Sequence, residues 1–235
     1  MVQPGPWSRS QVTPDRRADP SLTAVSATNL DHNAILKAAA QAALTPLGLR
    51  QVGRSRSWRD DRGWYLINVE FQPSSGAKGS YLNVGAMWLW YEKEYESFDY
   101  GYRVAPFEPA DEAWPERAHR LSALAAQRVL DLRRELGDIR STARLLQKRK
   151  PLVSWHLFHA AMATGLAGDR RTARTLMNRL LEAEVKRDWE RAMQTAMRGY
   201  RDLLARPDAY RARVTEVVRR RRLSLGLPEA TALPF

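Results

Sequence analysis

Apolar residues recur at every second position between Arg50 and Tyr91, and at every third or fourth position from Pro115 onward. The chain therefore passes from a strand period to a helix period. Arg50 to Arg59 and Trp64 to Gln72 read as two strands joined by a turn at Asp60, Asp61, Arg62 and Gly63. In the second strand Tyr65, Ile67, Val69 and Phe71 share one face, and Trp64, Leu66, Asn68, Glu70 and Gln72 share the other, which makes one clearly buried side. A connection containing Pro73, Ser74, Ser75, Gly76 and Gly79 leads to a third strand, Tyr81 to about Tyr91, whose end is apolar on both faces. A last strand is expected over Tyr100 to Val104 after the linker Glu92 to Asp99.

Ahead of the strands, Asn29 or Asp31 can cap a helix carrying Ile35, Ala39, Ala42 and Ala43, and Pro46 and Gly48 stop it. Behind them the spacing predicts helices over Pro115 to Leu136, Ile139 to Leu146, from Pro151 through Trp155 and Phe158, Thr172 to Glu184, Trp189 to Leu203, and Asp208 to Arg222. The expected fold class is α+β: an antiparallel sheet with a packed helix, followed by a helical array. Residues 1–28, with Pro4, Pro6, Pro14 and Pro20 among Ser, Arg and Asp, read as a flexible arm, and 29–110 as the sheet domain. Residues 111–235 form either a helical domain or a helical extension of the same core. The pair between Trp155 and Leu181 resembles one tetratricopeptide-like hairpin, with no second copy evident 34 residues on.

The run "TPLGLRQVGRSRSW" followed by "WYLINVEFQPSSGAKGSYLNVG" resembles a bacterial domain family of unknown function. In that family a helix ends in a Pro-Leu-Gly-Phe-like corner and leads to an aromatic-ended strand, an Asn-x-Gln-x-Ser strand end and a Leu-Asn-x-Gly strand. The residues that carry the likeness are Pro46, Leu47, Gly48, Trp58, Asn68, Phe71, Gln72, Ser74 or Ser75, Leu82, Asn83 and Gly85. The resemblance implies an α+β domain in a bacterial protein and implies no reaction.

Charge changes the picture in the second half. Residues 1–60 carry eight Lys or Arg against four acids, 61–110 four against seven, and 111–235 26 against 15, so nearly all of the net +12 lies in the helices. That excess suits either a phosphate backbone or ordinary solvated helix faces, and the dominance of Arg over Lys suits the latter. With no cysteine, thiolate chemistry, disulfides and thiolate metal sites are excluded, and a reducing, cytoplasmic setting is expected. No segment has the length of a membrane span.

Three residue sets are candidates for function. Trp88, Trp90, Tyr91 and Tyr95 lead into Glu92, Glu94 and Glu96, and these types in this order suit an interface to another protein or a second copy, or else a core edge and a solvated loop. Asn68, Glu70 and Gln72, with Asn83 across a strand pair and Arg54 or Arg56 from the first strand, can line a polar sheet face that receives a small ligand. Arg170, Arg171, Arg174, Arg211, Arg213, Arg219, Arg220, Arg221 and Arg222 form the basic set a nucleic acid would use. His156 and His159 share a helix without a third ligand, and no Gly-rich phosphate loop or serine elbow occurs, so neither a metal, a cofactor nor a catalytic residue is assigned. The leading expectation is a non-catalytic protein-interaction or adaptor module, with nucleic-acid binding by the basic helices as the alternative and a small-ligand or enzymatic role at the sheet face as a third.

Overall fold

The protein is described by a computed structural model covering residues 31–93, 95–149, 153–230 and 233–235. The arm expected over 1–28, the cap candidate Asn29, the helix start at Pro151 and Glu94 lie outside the described residues. The unit from Asp31 to Phe235 opens with α1 (His32–Leu44), capped by the Asp31 carboxylate on the Asn33 N–H at 3.0 Å. A single 3-10 turn at Thr45–Leu47 and Gly48 at φ +84° end it, a conformation that costs glycine nothing.

Five strands follow in one antiparallel meander, β1 (Arg50–Gln51), β2 (Ser57–Asp61), β3 (Tyr65–Gln72), β4 (Gly79–Trp88) and β5 (Tyr100–Pro109), in spatial order 1-2-3-4-5. The single strand expected over Arg50 to Arg59 is thus a hairpin. Gly53 takes φ +55°, Ser55 Oγ donates to the Val52 carbonyl at 2.6 Å, and Arg50 comes opposite Arg59. At the far edge β5 runs five residues beyond the expected Val104, because Pro106 and Pro109 sit on an edge strand where a missing N–H costs little.

Register sorts the side chains. Trp58, Asp60, Ile67, Val69, Phe71, Leu82, Val84 and Ala86 share one face. Across it lies α2 (Trp114–Glu135), in contact with β3, β4 and β5, and α1 packs along α2. The helices are tied at both ends: Trp114 Nε1 donates to the His32 carbonyl at 2.9 Å, and Arg133 donates to the Leu47 carbonyl at 2.6 Å. Ala39 and Ala40 on α1 and Ala118 and Ala125 on α2 are buried, and their small side chains let the helix backbones approach.

The remaining helices are α3 (Ile139–Lys148), α4 (Ser154–Leu166), α5 (Arg170–Glu182), α6 (Asp188–Leu203) and α7 (Pro207–Ser224). α3 packs on α4, and the last four form two successive pairs, α4–α5 and α6–α7. Trp155 and Trp189, 34 positions apart, stack at 5.3 Å with planes 8° apart, so a second helix pair does follow at that step. The two share that tryptophan but little other sequence. One cluster of buried apolar residues runs from Leu36 on α1 through the sheet to Val218 on α7, so sheet and helices share a core.

Candidate functional site

The tryptophans expected at an interface are interior. Trp88 and Trp90 are both 0% exposed and stack with Trp64, at centroid distances of 4.9 Å between themselves and 5.5 and 5.3 Å to Trp64. Tyr91 is half-buried edge-on to Trp155 and Phe158. Glu92 pairs with Arg220 at 2.7 Å and Glu96 pairs with Arg59. Only Tyr95, 55% exposed, presents an aromatic ring to solvent from this set. Residues flanking Glu94 run against α4, α6 and α7: Tyr91 meets Trp155, Tyr200 Oη donates to the Trp90 carbonyl at 3.4 Å and Arg221 to the Tyr95 carbonyl at 2.9 Å, so the interface expected there is largely covered from within.

Beneath that segment lies a polar cluster whose members are scattered in sequence. Trp90 Nε1 donates to His159 Nδ1 at 3.0 Å, which leaves the neutral ring's proton on Nε2. That atom is buried without a hydrogen-bond partner, 3.8 Å from Asp99. Asp99 accepts from Lys93 Nζ at 2.8 Å, Ser97 Oγ at 2.7 Å and the Trp88 N–H at 2.9 Å. Burial alone would raise the Asp99 carboxyl, but the Lys93 ammonium and these hydrogen bonds hold it down at about 2. Burial likewise pushes the His159 imidazolium down to about 3. The Ser97 hydroxyl donates a hydrogen bond to Asp99, whose lowered pKa makes it a weak base, and His159 spends its basic nitrogen on Trp90, so the imidazole does not address the hydroxyl as an activating base would. The cluster is a polar clasp between the Lys93–Asp99 segment and α4.

On the sheet face away from α2, Asn83 Nδ2 donates to Glu70 at 2.8 Å and to Gln72 at 3.0 Å, and Arg103 donates to the same Gln72 oxygen at 3.1 Å. Asn68 lies on this face beside Gly85. Arg54 is exposed on the β1–β2 turn, and Arg56 turns to α1, where it meets Asn33 and His32 and donates to the Gly79 carbonyl. Neither joins the polar face, because Ser57 opposite Glu70 puts odd-numbered β2 residues there; Arg59 and Arg103 are its arginines. Among the described residues its polar atoms mostly satisfy one another, with Asn83 Oδ1 and Arg59 Nε left over.

The basic set divides. Arg222 is 4% exposed and grips both Asp61 oxygens at 2.7 Å, with further bonds to the Gly63 and Pro228 carbonyls; Arg221 is 5% exposed. Both are interior ties, not surface charge. Arg220 is spent on Glu92, and Arg213 and Arg219 are exposed elsewhere on α7. By contrast Arg170, Arg171 and Arg174 line an open groove of about 490 Å³ with Thr175, Asn178 and Leu204. Arg170 and Leu204 also line an adjoining groove of about 210 Å³ that Arg211 enters.

Local sequence explains the convergence. Gly168 at φ +91° turns α4 into α5, and Asp169 caps α5 through the Thr172 N–H at 3.0 Å. At Gly165 a β-carbon would lie 2.7 Å from Tyr210 Oη, so only glycine admits the Tyr210 ring, whose hydroxyl donates to the Met162 carbonyl at 3.3 Å. Seating Tyr210 on α4 sets Arg211 beside Arg170. No acid stands in the first turn of α5, and no carboxylate of the described residues comes within 4 Å of Arg170, Arg171 or Arg174; Arg211 has only Asp208, at 3.8 Å. No protein-family model, curated protein or solved structure matches the chain. No helix of the described residues is long and apolar enough to cross a membrane.

Proposed function

We propose that the protein binds the phosphate backbone of nucleic acid through the groove lined by Arg170, Arg171, Arg174 and Arg211. The observation that carries this reading is convergence: four exposed arginines from two helices border connected grooves, and among the described residues three of them have no ion-pair partner within 4 Å, the Asp169 cap being the acid whose charge Arg171 feels. Grouping cations at the amino-terminal end of α5 is unfavourable for the isolated helix, since the backbone dipole is positive there. A polyanion offsets that cost and releases its own counterions on binding. The protein-interaction reading keeps Tyr95 as an exposed anchor but loses Trp88 and Trp90 to the core.

Fluorescence anisotropy with a labelled mixed-sequence DNA tests the proposal. Binding at physiological salt is expected in the range of roughly 10⁻⁶ to 10⁻⁴ M, typical of backbone contacts, and the triple change Arg170→Ser, Arg171→Ser, Arg174→Ser is expected to weaken it by about tenfold or more. Equal binding by the triple variant and wild type would remove the groove from the account.

A further inference from the structure

We infer that the groove selects double-stranded over single-stranded nucleic acid and reads no base sequence; this rests on the backbone-binding reading above. Its lining supplies charge and little else. Beside the arginines stand Thr175, Asn178, Leu204 and Pro207, and the one aromatic residue bordering it, Tyr210, is 1% exposed with its hydroxyl held by α4. Single strands are held by stacking their bases on exposed aromatic rings as well as by charge. The groove offers no such platform. The large aromatics most exposed among the described residues, Tyr95 and Tyr102, belong to the sheet region, and the half-buried Trp155 sits about 15 Å back along α4 from Gly165.

Charge density points the same way. A duplex carries both strands' phosphates along one axis and condenses more counterions per phosphate than a single strand, so each arginine contact releases more from a duplex. The groove is also open, a form that meets a rigid convex backbone without reaching into a base-lined groove, where sequence would be read. The ligand chemistry is therefore a duplex phosphodiester backbone, and DNA and RNA duplexes are its two sources.

Anisotropy titrations at about 50 mM salt with a 20-base-pair DNA duplex, the equivalent RNA duplex and the single-stranded DNA of one strand test this, using the full chain. At least one duplex is expected to bind about tenfold more tightly than the single strand, with no change when the duplex sequence is scrambled. The same comparison with Arg170→Ser, Arg171→Ser, Arg174→Ser should lose the difference. A control with Arg120→Ser, Arg140→Ser and Arg144→Ser, exposed positions on α2 and α3, should retain it. Single-strand binding equal to or tighter than both duplexes overturns duplex selection while leaving backbone binding in place. Absent binding to every probe, or an equal loss in the control, overturns the backbone reading itself. Competition by polyglutamate as effective as by duplex at equal charge overturns both in favour of an acidic protein partner.

Discussion

His159 sits 69 positions from Trp90 and accepts its indole proton, so the ring is held neutral in an environment that resists charging it. Its folded pKa of about 3 lies below the ordinary 6.5, so between those values the unfolded chain carries the extra proton. His159 therefore contributes stability that is complete above about pH 6.5 and is lost as pH falls toward 3, by up to about 1.4 kcal/mol per pH unit. Asp99, lowered from 3.8 to about 2, adds to the loss only below about pH 4. Urea unfolding of His159→Gln is expected to show lower stability at pH 7 but a shallower decline to pH 4 than wild type. Parallel declines would mean His159 is charged in the folded protein. At this scale the sequence reads poorly: Trp88 and Trp90 lie where both strand faces are apolar, and nothing local says that α4, some seventy residues on, supplies the cover.

Helices were legible as elements because Gly137, Gly168 and Pro207 punctuate strong three-to-four periodicity. The ends of those helices were not. Arg219 to Arg222 read as part of the basic set a nucleic acid would use, yet Arg222 closes a bidentate pair with Asp61, 161 positions away, and holds the chain at Pro228. That tail brings Phe235 edge-on to Trp64 at 6.3 Å, so the end of α7, the β2–β3 turn and the tail form one junction. Removing Arg222 strips the Gly63 and Pro228 carbonyls of their donor, while Asp61, an exposed residue, keeps access to water. Arg222→Met is accordingly expected to cost about 1–3 kcal/mol in urea unfolding, whereas Arg219→Ser on the exposed side should change stability by less than about 0.5 kcal/mol. Equal effects would show that the Arg222 pair is not a structural tie. The β1–β2 hairpin is hard to read for a different reason: Gly53 and Ser55 are turn signals hidden inside an otherwise alternating stretch.

For the molecule as a whole, the antiparallel sheet backed by α2 and extended by paired helices follows from the change of period, while the functional surface does not follow from composition alone. Net charge is +12, but much of the basic excess on α7 is spent internally on Asp61, Glu92 and main-chain carbonyls. Among the described residues, Arg170, Arg171 and Arg174 of the α5 groove remain together without an ion pair, visible in sequence only as neighbouring arginines until Gly165 and Tyr210 bring α7 and Arg211 beside them. The central claim is that this groove, and not diffuse positive charge, engages phosphate. The slope of log binding constant against log salt concentration tests it most directly, because it counts the phosphates neutralised. Four contacts to a DNA duplex give a slope of about −3.6 for wild type, and Arg170→Ser, Arg171→Ser, Arg174→Ser should reduce it to about −0.9. Slopes that stay alike in the two proteins would contradict the claim.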